Sequence, residues 1–145
     1  MAQVLLIVGA GILLMMGAGH GVLTLLDTIR PRYFTPIDDS VRLAMEGAKR
    51  LGMQRGLPVS PKGNMWRAWL GFNLSHSLGA VVYSSILLVL ALHHFAVFAE
   101  SGLIQGAVLG VTSTYWVISI RFWFWVPSVG ISAALLCFLG AAVLA

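Results

Sequence analysis

Hydrophobic and polar positions alternate on a coarse scale, with long apolar runs separated by short polar breaks. The apolar runs cover about residues 3–26, 66–93, 103–120 and 123–145. At a helical rise of about 1.5 Å per residue each can cross a hydrocarbon core of about 30 Å, the third only just. The first, "QVLLIVGAGILLMMGAGHGVLTLL", is too long for a secretory leader's apolar core, and the basic residues expected before one are missing. It is therefore expected to stay as a span. The pattern predicts an all-α integral membrane protein, one domain of four transmembrane helices in a bundle.

Between residues 28 and 64 the pattern changes. In "TPIDDSVRLAMEGAKRLGM" the apolar residues Val41, Ala44, Met45, Ala48 and Leu51 recur at helical spacing, with Arg42, Glu46, Lys49 and Arg50 largely elsewhere on the surface. Thr35 is placed to cap, Pro36 suits a first helical position, and Asp38 falls three residues after the cap. The prediction is an amphipathic helix over about 36–52, lying on the cytoplasmic face as a connector or docked on lipid or a partner. "RGLPVSPKGN", with Pro58, Pro61 and Gly63, then breaks it.

Composition agrees with the pattern: 59% of the 145 residues are hydrophobic and 10% charged, and mean hydropathy is +0.90. A soluble domain carries about a quarter charged residues. Of nine Lys and Arg residues, seven lie between the first and second apolar runs, an eighth, Arg67, stands at the start of the second, and the ninth, Arg121, lies between the third and fourth. A positive-inside bias explains this clustering without nucleic acid, and puts those connections in the cytoplasm with both termini outside. The expected setting is a bacterial inner membrane. The lone Cys137, inside an apolar run, provides neither a disulfide framework nor a metal motif.

Small residues mark close helix contacts, with Gly17 and Gly21 a G-x-x-x-G pair in the first run. Trp66 and Trp69 open the second run, and Trp123 and Trp125 open the fourth. With Arg121 these are expected to anchor the chain at the cytoplasmic interface. Pro127 lies about one turn into the fourth run, where it can start or kink a helix.

Polar residues concentrate in the cytoplasmic half of each span. His20 lies about seven residues, roughly 10 Å, from the cytoplasmic end of its run. Asn73 and His76 lie at a similar depth in "FNLSHSLG", which also holds Ser75 and Ser77. Thr112, Tyr115, Ser128 and Ser132 match that level. His20, Thr24 and Asp27 share one helical face, as do Thr112, Tyr115 and Ser119. Lipid cannot satisfy such groups, so they are expected to face inward around a pocket open to the cytoplasm. His20, Asn73, His76, Ser77, Thr112 and Tyr115 are the candidate ligand-binding residues.

These residue types leave several chemistries open. His20 and His76 can hydrogen-bond between helices, line a site for an apolar small molecule or lipid, or ligate haem b as an axial pair. A small enzyme would have to use His76 with Asn73 and Asp27, since no phosphate loop, no G-x-S-x-G and no intramembrane carboxylate pair is present. A closed metal site is not expected. Asp27 is expected either to pair with Arg30 or Arg67 or to orient His20; His93 and His94 read as solvated interfacial residues.

In size, number of spans and the Gly- and His-bearing "GAGHG" of its first span, the whole chain resembles the small four-helix bacterial inner-membrane proteins of the DoxX-like kind. The resemblance implies a multi-pass inner-membrane protein and assigns no functional residue. Taken together, these features favour a non-enzymatic protein that binds an apolar ligand or packs with other membrane subunits or with itself.

Overall fold

A computed structural model of the chain describes residues 1–30, 32–36, 38–47 and 65–145. Among these residues every regular element is a helix: α1 (Ala2–Ile29), α2 (Asp39–Gly47), α3 (Met65–His93), α4 (Phe95–Glu100), α5 (Gly102–Phe122) and α6 (Trp125–Leu144). Four of them, α1, α3, α5 and α6, are long and apolar enough to cross a membrane. Large apolar side chains stand open along them, Met15 at 78% exposure and Leu136 at 69%, as lipid-facing residues do.

Local sequence explains the ends. Proline at position 31 biases the residue before it away from helix, and α1 stops at Ile29. Ser101 caps α5 by accepting a hydrogen bond from the Ile104 N–H at 3.3 Å. The last span begins later than its hydrophobic run. Trp123 ends α5, donating its N–H to the Ser119 carbonyl, and extended Phe124 precedes α6. Trp123 therefore sits in the connection rather than opening the helix. Pro127 falls in the first turn of α6, where its missing N–H would have no intrahelical partner. It starts the helix rather than kinking it.

The link between α3 and α5 holds the short helix α4, whose Phe98 is only 1% exposed. One further expectation is corrected. Thr35 does not cap α2. That helix starts at Asp39, and Asp38 caps it by accepting hydrogen bonds from the Ser40 N–H on its side chain and from the Val41 and Arg42 N–H groups on its carbonyl. The rest of the stretch assigned to the amphipathic helix, residue 37 and residues 48–52, lies outside the described residues, as do Pro58, Pro61 and Gly63.

The chain divides into two compact units, one of residues 1–18 with 79–145 and one of residues 19–78. The first has an apolar core of Leu6, Ala10, Leu87, Ala91, Phe98, Val108, Ala134, Phe138 and Ala141. Its backbones approach where side chains vanish: a Cβ on Gly9 would stand 2.5 Å from the Phe138 ring, and one on Gly17 2.9 Å from the Ala80 Cβ. Ser84, Thr112 and Ser119 are buried here and bond to carbonyls three or four residues back on their own helices. The longer-range polar links include Gln3 Nε2 to the Ala91 carbonyl at 2.8 Å and Tyr83 Oη to the Val108 carbonyl at 3.0 Å.

Candidate functional site

The second unit holds most of the predicted polar cluster. Its residues 19–29 of α1 and 65–78 of α3 come close because Gly21 has no side chain; a Cβ there would meet the Ser77 Cβ at 3.3 Å. That approach brings His20 Nε2 to 2.9 Å from Asn73 Oδ1. Asn73 also donates Nδ2 to the Trp69 carbonyl at 2.8 Å, and Ser77 donates to the Asn73 carbonyl at 2.7 Å. Thr24 donates to the His20 carbonyl at 2.8 Å. Thr24, Asn73 and Ser77 are buried, whereas Ser75 is exposed and bonds only to the Phe72 carbonyl.

Asp27 behaves unlike either expectation. Its carboxylate is 1% exposed and accepts the backbone N–H groups of Arg32 (2.8 Å) and Tyr33 (2.7 Å) on one oxygen. The other oxygen accepts the Phe34 N–H at 2.6 Å and the Thr35 hydroxyl at 3.5 Å. Neither Arg30 nor Arg67 is its partner, and it does not touch His20. A carboxylate near a helix C-terminus opposes the helix dipole. Here the N–H groups of the returning chain offset that charge, and the segment 32–35 is latched back onto α1.

The latch sets Phe34 against His20, ring centroids 4.4 Å apart. His76 meets His20 edge-on at 5.9 Å, and Phe72, 61% exposed, stacks on His76 at 6.2 Å. Three rings thus gather at one imidazole-amide pair, Phe34 and His76 half-buried and Phe72 open. Neither Phe34 nor Phe72 was singled out in the sequence. The signal for Phe34 was the isolated Asp27 before a polar turn; Phe72 lies four residues before His76, the spacing of side chains that meet on a helix.

Thr112 and Tyr115 belong to the other unit. There Thr112 is buried, donates to the Val108 carbonyl and bonds with Tyr83 Oη at 3.0 Å. Ser132 accepts from Trp116 Nε1 at 2.9 Å. Of the expected anchors, Trp125 (74% exposed), Trp69 and Arg121 are open, while Trp66 is buried, at 9% exposure. His93 and His94 are exposed, as expected.

The ring group does not fit an axial haem pair. His20 Nε2 is engaged by Asn73, and one residue along, α1 and α3 are separated by less than a methyl group at Gly21 and Ser77. That leaves no gap for a macrocycle between the imidazoles. Nor do His76, Asn73 and Asp27 converge as a reacting set, since both Asp27 oxygens hold the latch. Among the described residues no group of three or more His, Cys, Asp or Glu is arranged to hold a metal ion.

Comparisons with known proteins bring no relative to this arrangement: no family model matches the chain, and neither a curated protein nor a solved structure matches it.

Proposed function

We propose that this chain is a non-enzymatic multi-pass protein of a bacterial inner membrane that binds an apolar molecule beside His20, Asn73, His76 and Ser77. The observation that carries the reading is the aromatic group around His20. Phe34 packs on the imidazole of a hydrogen-bonded His20–Asn73 pair, and Phe72, stacked on the neighbouring His76, is left largely open. Such a surface offers a flat apolar wall beside a few fixed polar atoms, the usual make-up of a small-molecule site. In this reading the four spans form one bundle with both termini outside, supported by the seven Lys and Arg residues between the first two spans and by Arg67 in the first turn of α3. The helix α2 lies as an amphipathic helix on the cytoplasmic surface, supported by the helical recurrence of Val41, Ala44 and Met45 and by the exposure of Val41.

Native mass spectrometry of the full chain, extracted gently from its own membrane, tests the reading. The expected result is a retained adduct of lipid-like mass, depleted in Phe72→Ala and Phe34→Ala. Bare protein in every preparation counts against it.

A second reading, packing as an accessory subunit, is favoured by a different observation. On α5, Gly102, Gly106 and Gly110 follow one another at intervals of four, and a Cβ on any of them would meet nothing within 4 Å. Such a face suits close approach by another transmembrane helix. Co-purification with a partner in mild detergent, lost in Gly106→Leu, is the expected result; a lone chain in both forms contradicts it.

A further inference from the structure

The two hydrogen bonds of the Asn73 side chain fix more than its position. Its Nδ2 donates to the Trp69 carbonyl at 2.8 Å, which a carbonyl oxygen in that place could not do. Oδ1 is therefore the atom 2.9 Å from His20 Nε2. An amide oxygen only accepts, so Nε2 carries the proton and donates. In the neutral imidazole the remaining nitrogen, Nδ1, then holds a lone pair.

No described residue donates to that lone pair. It is not sealed off either, since no side-chain nitrogen or oxygen among the described residues is both buried and unpartnered. His20 lies nine residues before Ile29, the last residue of α1, or about 13 Å along the helix. At that distance from the end of a span an acceptor without a donor is costly, because lipid tails supply none. The nitrogen calls for a donor that the described residues do not supply, and the Phe34 ring against His20, with Phe72 stacked on the adjoining His76, calls for an apolar body attached to that donor.

Resting on the ligand-binding reading above, we infer that His20 Nδ1 accepts a hydrogen bond from a hydroxyl-bearing apolar molecule dissolved in the membrane. Asn73 is a positioning residue for this site: it acts through His20 by fixing which nitrogen is bare. Ser77 and Gly21 set the helix approach that lets Asn73 reach. An apolar molecule without a donor, such as an ether or a hydrocarbon, leaves the nitrogen as it was and gains only ring contact.

The test compares naphthol with its methyl ether, two flat probes that differ in the hydroxyl proton. Each is titrated into the full chain, carrying isotope-labelled histidine, in phosphatidylcholine nanodiscs, and the His20 and His76 resonances are followed by nitrogen NMR. The expected result is half-saturation by naphthol at roughly tenfold lower concentration than by the ether, the equivalent of one hydrogen bond, with the largest shift at His20 Nδ1. In His20→Phe, followed through His76, the two probes should titrate alike, which also removes any difference in their partition into lipid. Equal titration by both probes in the unchanged chain overturns the inference while leaving apolar binding intact, and water then satisfies the nitrogen. A tenfold preference that survives His20→Phe overturns it too, by placing the acceptor elsewhere. If neither probe shifts His20 or His76, the ligand-binding reading falls with it. The comparison in the unchanged chain stands even if His20→Phe fails to fold.

Discussion

The two units are built from the same kinds of helix and held by different physics. In residues 1–18 and 79–145, contact is dry and close: Gly9 against Phe138, Gly17 against Ala80, Gly140 against Leu5, around a core of Leu, Ala, Val and Phe. In residues 19–78 the buried set is mostly polar, with Thr24, Asp27, Asn73 and Ser77 beside Trp66, and the contacts are directed hydrogen bonds. Lipid tails are as apolar as leucine, so neither unit gains much from burying hydrocarbon alone. The first relies on dispersion between surfaces that fit, and the second on pairing its buried polar groups by directed hydrogen bonds. The second arrangement costs more to disturb at a single residue and leaves one nitrogen available to a ligand. That difference is why the proposed site is put in the second unit.

Breaking the Asp27 latch gives the largest expected effect. Asp27→Ala strips the acceptor from three backbone N–H groups and should cost about 3 kcal/mol, since bonds to a charged acceptor are the strong ones. Hydrogen exchange should then quicken at the Arg32, Tyr33 and Phe34 amides and stay unchanged across 1–18 and 79–145. Overpacking the dry unit comes next. Gly9→Ala puts a methyl group into the buried Phe138 ring and should cost about 2 kcal/mol, read as a lower midpoint of denaturation in detergent, with the His20–Asn73 pair intact. Asn73→Leu removes one interhelical hydrogen bond and should cost about 1 kcal/mol, the scale of such bonds in membranes.

Smaller effects sharpen the comparison at its edges. Gly106→Ala meets open space, so for the isolated chain it should stabilise α5 by roughly half to one kcal/mol through reduced backbone freedom; loss of stability instead would mean that this face is already occupied by a second copy. At the start of α2 the Ser40 hydroxyl and N–H hold the Asp38 carboxyl below the usual carboxylate range. A group lowered on folding contributes above its unfolded value, near pH ~4, and loses that contribution as the pH falls through its folded value. The first turn of α2 should therefore fray only in that acid window, and Ser40→Ala should move the onset to higher pH, seen in the Asp38 carboxyl resonance.

The spans were legible in the sequence to within a few residues at each end, because an apolar run of that length has few other uses. The polar faces of the second unit were legible too, since His20 and Thr24 on one helix and Asn73 and Ser77 on another stand one turn apart and lipid cannot satisfy them. What the pattern concealed was partner choice. Asp27 could be read as half of an ion pair because charge is visible in sequence, whereas three consecutive backbone N–H groups are not. The same holds for α4, whose six residues are too short for a periodic signal, and for Trp66, whose type suits either an interface or a core. Thr112 and Tyr115 matched the cluster in depth along the helix, but depth alone does not say which residues meet.

The central claim is that the polar unit fixes His20 in one tautomer, proton on Nε2 and Nδ1 bare. Nitrogen NMR of the full chain in lipid, carrying isotope-labelled histidine and held in alkaline buffer where imidazole is neutral, measures it directly. The account predicts one protonated nitrogen, assigned to Nε2 and coupled across to Asn73, and one unprotonated nitrogen at Nδ1 that responds to added naphthol. A proton on Nδ1, or two nitrogens averaged by exchange between tautomers, would contradict it.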